Sequence, residues 1–112
     1  MKTLGDLKVG DKFYLIEYDE GGFITNITER YVAIIKDISV GMIIKYFNNG
    51  ELEGFTIQKD EYDENFAICY YLIYCCADLN YVKTLIKEDK KKFNNRYNNI
   101  LNTIKNYECS NN

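Results

Sequence analysis

The 112-residue chain is 46% hydrophobic and 28% charged, apolar enough to fold and long enough for one core with no room for a second. Its formal charge of −3, its pI near 5.0 and its possession of only two arginines, Arg30 and Arg96, weigh against the basic surface of a generic nucleic-acid binder. The absence of histidine removes the commonest general base near neutral pH and the commonest metal ligand, and it excludes Ser-His and Cys-His nucleophile pairs.

The opening "MKTLGDLKVG" lacks the apolar run of a secretion signal, so a cytoplasmic, reducing setting is expected. A Gly10-Asp11 turn then leads into an extended segment, Lys12 to Tyr18, which ends at "DEGG". A second extended segment, Phe23 to about Lys36, is rich in β-branched and aromatic residues and is expected to bend near Thr28–Arg30. Asn49-Gly50 is a hairpin signal, because a type I′ turn needs positive φ at both central residues. It predicts strands over Gly41–Phe47 and Glu51–Ile57, with Gly54 as a candidate bulge.

The acidic "KDEYDEN" reads as a solvated loop. Its carboxylates alternate, but Phe66 and Leu72 stand where a calcium loop would need its Gly and distal Glu. The run "FAICYYLIYC" is apolar on both faces of an extended chain and predicts a last strand covered on both sides. Its period also permits a helix. As a helix, Phe66–Ala77 would span only about 18 Å, against a bilayer core of about 30 Å, so no membrane segment is expected. Cys75 and Cys76 are adjacent, and on a strand they would face opposite ways, unable to share a metal. The cysteines therefore read as core thiols, with Cys109 a thiol in the polar tail; no metal and no cofactor is expected.

Asp78 is a candidate N-cap, and a helix is predicted from there to about residue 108. Leu79, Val82, Ile86, Phe93, Tyr97, Ile100, Ile104 and Tyr107 recur mostly at steps of three and four, forming one apolar stripe interrupted near Asp89-Lys90. Within "KEDKKK", Glu88 and Lys92 form a favourable i,i+4 pair, which points to a solvated face. Six asparagines in the second half cost about 0.6 kcal/mol each relative to alanine, so packing of the stripe must supply the stability. A seven-turn helix would also outreach one small barrel. Phe93, Tyr97, Ile100, Ile104 and Tyr107 are accordingly the candidate interface residues.

The fold expected is α+β and a single domain. A small antiparallel, SH3-like, partly open β-barrel of about five strands (residues 1–77) precedes one long C-terminal helix (residues 78–108). No phosphate-binding glycine motif and no nucleophile elbow occurs, so no catalytic residue is assigned and the chain is expected not to be an enzyme. The leading expectation is a non-catalytic binding protein, homo-oligomeric through its C-terminal helix. A pocket for a small phosphorylated ligand, with Arg30 and Arg96 as its binding residues, is one alternative. Stacking of single-stranded nucleic acid on strand tyrosines is the other.

"LKVGDKFYLIEY" followed by hairpins, then "YLIYCCADLNYVKTLIKEDKKKF", resembles small phage and mobile-element proteins of low-GC bacteria that place a helix after an SH3-like barrel. Codon bias in such genomes would also account for the abundance of Asn, Ile, Lys and Tyr. The resemblance implies an accessory or anti-defence inhibitor that binds and blocks a host protein, such as a CRISPR effector, or sequesters a nucleotide signal.

Overall fold

Turn chemistry divides the first two-thirds of the chain into short antiparallel strands. The structure is a computed structural model that describes residues 1–110, with side chains described through residue 106. Among the described residues there are seven strands: β1 (Lys12–Tyr18), β2 (Ile24–Tyr31), β3 (Ile34–Ile38), β4 (Gly41–Asn48), β5 (Glu51–Gln58), β6 (Phe66–Tyr70) and β7 (Ile73–Cys76). One helix, α1 (Leu79–Ser110), follows them. The strands form two sheets, ordered β2-β1-β7-β6 and β3-β4-β5. The fold is α+β with partly open sheets rather than a closed barrel.

Asn49 and Gly50 have φ of 52° and 81°, the positive pair that a type I′ turn demands. The β4–β5 ladder they set runs without a break from Asn48↔Glu51 to Gly41↔Gln58. Gly54 therefore sits in regular register opposite Lys45, not at a bulge.

Two expectations for the strands are corrected. The segment Phe23–Lys36 is two strands, not one bent strand, and the break falls at Val32-Ala33 rather than near Thr28–Arg30. There the chain crosses from one sheet to the other; Val32 N–H donates to Asp11 O at 2.9 Å and Ala33 N–H to Lys45 O at 2.8 Å. The run "FAICYYLIYCC" is likewise a hairpin, turning at Tyr71-Leu72 with Leu72 at φ 61°. No Gly or Asn announces that turn; a leucine in left-handed backbone is uncommon, and tertiary pairing has overridden local preference. Seven strands replace the expected five for these two reasons.

Double coverage belongs to β1 and β7. Phe13 and Leu15 of β1 enter the main core between the sheets, with Ile44, Phe55 and Ile57 opposite. Tyr14 and Ile16 point the other way, to a second cluster closed by Val82 of α1. Cys75 lies in the first cluster and Cys76 in the second, so the adjacent thiols do face opposite sides. β6, by contrast, is an edge strand with Ile68 and Tyr70 exposed.

Asp78 occupies the cap position through its backbone: its carbonyl accepts from Val82 N–H at 3.2 Å. Its side chain does not supply the expected cap, since Oδ2 is buried without a partner. The helix then runs 32 residues, about 48 Å, and stretches the molecule to 67 × 29 × 23 Å. The radius of gyration is 18.7 Å, whereas a compact chain of this length would have about 13 Å.

Candidate functional site

The helix binds its own head along one line and leaves an apolar line bare beside it. The bound line steps by three and four through Val82, Leu85, Asp89, Lys92 and Arg96. Val82 is buried against Tyr14, Ile16 and Cys76, with Leu85 packed at its side. Asp89 Oδ1 accepts from the backbone N–H of Ile24 at 2.9 Å, closing an edge of β2. Lys92 Nζ donates to Gly22 O at 3.5 Å, and the Arg96 guanidinium lies 5.5 Å from the centre of the Phe23 ring. Asp89 thus fastens the helix to the start of β2, a correction to its reading as part of a solvated face; Lys87, Glu88, Lys90, Lys91 and Lys92 are exposed, as that reading expects.

Phe93 touches the Phe23 ring edge-on at 6.2 Å, the last ring contact between helix and head. Beyond Arg96 the helix projects into solvent, and every described side chain there is exposed. The bare line is the predicted stripe without Val82. Leu79, Ile86, Phe93, Tyr97, Ile100 and Ile104, with Leu101 beside them, are between 40% and 59% exposed. This row is rotated by about 80° around the helix from the 82–96 row, so the head faces that row and leaves this one in solvent. Four of the five predicted interface residues, Phe93, Tyr97, Ile100 and Ile104, are therefore brought together on one exposed ridge. Tyr107 lies outside the residues whose side chains are described.

Charge is divided along the same boundary. Residues 1–78 carry seven basic and fourteen acidic groups, a net of −7; residues 79–112 carry seven against three, a net of +4. An acidic head bears a basic helix.

A second feature lies inside the open end of the sheets. Leu15, Glu17, Thr28, Arg30, Asn48 and Glu53 line much of a cavity of about 230 Å³, with Tyr46, Tyr70 and Ile73 completing it. Arg30 Nη2 donates to Asn48 Oδ1 at 3.0 Å, and Asn48 Nδ2 donates to Glu53 Oε1 at 3.3 Å. The Tyr46 hydroxyl donates to Glu53 Oε2 at 3.1 Å, and burial followed by that bond pushes its pKa well above the ordinary tyrosine value. The Tyr70 hydroxyl donates to Gly54 O, linking the outer strands of the two sheets. Arg30 Nε is buried with no partner. The inward row thus ends in Arg, Asn and Glu where apolar side chains would pack in a core. The two arginines do not converge: Arg30 lies between the sheets and Arg96 on the helix.

The Cys69 and Cys75 thiols of the β6–β7 hairpin donate to Ile73 O and Ala67 O, each at 3.4 Å. The contact with Cys69, together with burial, holds the Cys75 thiol protonated. Burial pushes Cys76 up to about 11. Cys75 and Cys76 are packed, neutral sulfurs. Among the described residues no three His, Cys, Asp or Glu side chains are grouped to hold a metal ion, and no helix is long and apolar enough to cross a membrane.

No family model matches this chain, and no curated protein or solved structure is significantly similar to it.

Proposed function

We propose that this chain is a non-catalytic binding protein whose working surface is the ridge on α1, covered in use by a protein. The observation that carries the reading is the exposed row from Leu79 to Ile104 on a helix whose described side chains beyond Arg96 are all exposed. At roughly 200 Å² per large side chain, the ridge leaves on the order of 700 Å² of mostly apolar surface in water. That exceeds what soluble monomers ordinarily expose in one patch. The helix also needs a cover on its own account, since six asparagines in residues 94–106 weaken it by about 3–4 kcal/mol relative to alanine.

Ile100→Glu combined with Ile104→Glu is the test. Both side chains are far from the core, so the stability of the head is expected to change by no more than about 0.5 kcal/mol. Assembly and partner capture are expected to be lost. A host defence protein, the target that the resemblance implies, would leave the complex with the same variant. Retention of native mass and of every partner would overturn the reading.

The cavity at Arg30 supports a second reading, a small-ligand pocket in the head. Glu17 and Glu53 outweigh Arg30, so the lining disfavours a phosphorylated ligand and suits a neutral or zwitterionic one that gives Arg30 Nε an acceptor. A ligand at 100 times its Kd stabilises by about 2.7 kcal/mol. A melting-temperature screen of free amino acids, nucleobases and phosphate is expected to show a rise only for the first two groups, lost in Arg30→Met. A rise with phosphate alone, or none with any compound, would dismiss this pocket.

A further inference from the structure

The ridge repeats in heptads. Leu79, Ile86, Phe93 and Ile100 stand seven apart, and Tyr107 continues the series in the sequence. Tyr97 and Ile104 fall between them, four residues after one member and three before the next. This is the a/d spacing of a helix that buries a seam against another helix. The earlier intervening positions hold Lys83 and Lys90. In a parallel pair each of those lysines would face its own counterpart, placing like charges within the seam. An antiparallel pair sets every a position against a d position of the other copy. With Phe93 of one copy against Tyr97 of the other, the same register places Ile104 against Ile86 and Ile100 against Lys90. Lys90 then lays its aliphatic stem along Ile100.

We infer that the ridge is covered by a second copy of this chain, paired antiparallel along α1 in that register. The inference rests on the reading of the ridge as a protein-docking surface and names what docks there. Three observations favour this occupant. Ile86, which lies alongside the head, is as exposed as Ile104 at the projecting end. A partner that gripped the free end alone would leave it bare. Antiparallel pairing covers both halves, because each head sits beside the half of the other helix that has none. Two ridges together bring about 1,400 Å² to the contact, within the range of specific stable interfaces. Charge agrees: antiparallel pairing keeps the two −7 heads at opposite ends of the helix pair, whereas parallel pairing would press them together. The contact is two-fold and self-complementary, so it closes at two chains.

Light scattering after size exclusion, on the full chain at 100 µM, is expected to give twice the 13.2 kDa chain mass. Ile104→Glu and Ile86→Glu, which would contact each other across the pair, are each expected to return it to the single-chain mass. Orientation is read from a spin label at Lys105→Cys in a Cys69→Ser, Cys109→Ser background. Antiparallel pairing in this register separates the two labels by about 30 Å along the axis, while parallel pairing holds them within about 15 Å. A short distance, a mass other than two chains, or insensitivity to both substitutions overturns the inference. A single-chain mass that still binds an apolar fluorescent probe, with binding lost in Ile104→Glu, overturns self-pairing and leaves the docking surface standing. A single-chain mass with no such probe binding removes both.

Discussion

Phe13→Ala is expected to cost about 3–5 kcal/mol, the range for a buried phenylalanine cut back to its β-carbon. Phe13 is wholly buried on β1, the strand covered on both faces. Its ring meets Tyr46 at 5.5 Å and Phe55 at 5.6 Å, both edge-on, so the substitution also removes two aromatic contacts that join the two sheets. Such pairs contribute about 0.5–1.5 kcal/mol beyond the area they bury. A domain of this size has about 5–15 kcal/mol in all, so the variant would be left marginal or unfolded at body temperature. The thermal midpoint is expected to fall by at least about 12 °C. Urea titration is expected to show a lower midpoint at an unchanged slope, because the surface exposed on unfolding is nearly the same. Phe47→Ala is the control. That ring is 60% exposed on the same kind of hairpin strand, and its loss is expected to cost less than about 1 kcal/mol. Equal losses from the two variants would contradict the placement of the core.

The elements that the sequence announces are those whose geometry only certain residues can adopt. Asn49-Gly50 fixed one hairpin to the residue, because both positions need left-handed backbone and those two side chains tolerate it. The long helix was legible from the spacing of its apolar residues and from the lack of Gly or Pro after Asp78. The Tyr71-Leu72 turn was not, since nothing local favours it; it forms because β6 and β7 gain more by pairing than Leu72 loses at φ 61°. The split at Val32-Ala33 was equally hidden, as an apolar residue at a sheet crossing looks like any strand residue.

The same distinction applies to the sites. Exposure of Phe93, Tyr97, Ile100 and Ile104 followed from helix length alone, because no 77-residue head can cover seven turns. Asp89 shows what periodicity misses. It interrupts the stripe, which suggested a solvated position, yet it holds the backbone of Ile24. A carboxylate that breaks an apolar period beside a strand edge was the available signal. The Arg30 cavity needed six strands brought together, although Glu17, Thr28, Arg30, Asn48 and Glu53 had each stood on inward-facing positions.

Val82→Asp is expected to detach the helix. Val82 is the one buried side chain among those described on α1, closed in by Tyr14, Ile16 and Cys76. None of those side chains offers a cation, and burying an unpaired carboxylate costs several kcal/mol. Besides the partial packing of Tyr81 and Leu85, the remaining fastenings are Asp89 to Ile24, the long Lys92 contact and the contacts of Phe93 and Arg96 with the Phe23 ring, each worth about 1 kcal/mol. They are too few to hold the segment down. Once free, the asparagine-rich half cannot sustain itself, since isolated helices gain little without tertiary packing. Circular dichroism at 222 nm is expected to lose most of the signal of a 32-residue helix, while dispersed amide resonances of β4 and β5 persist. Val82→Asn, which adds a polar group without a charge, is expected to lose less. If the helical signal survives Val82→Asp at the mass of a single chain, the head is not what orders α1, and the division between a bound line and a bare line is wrong.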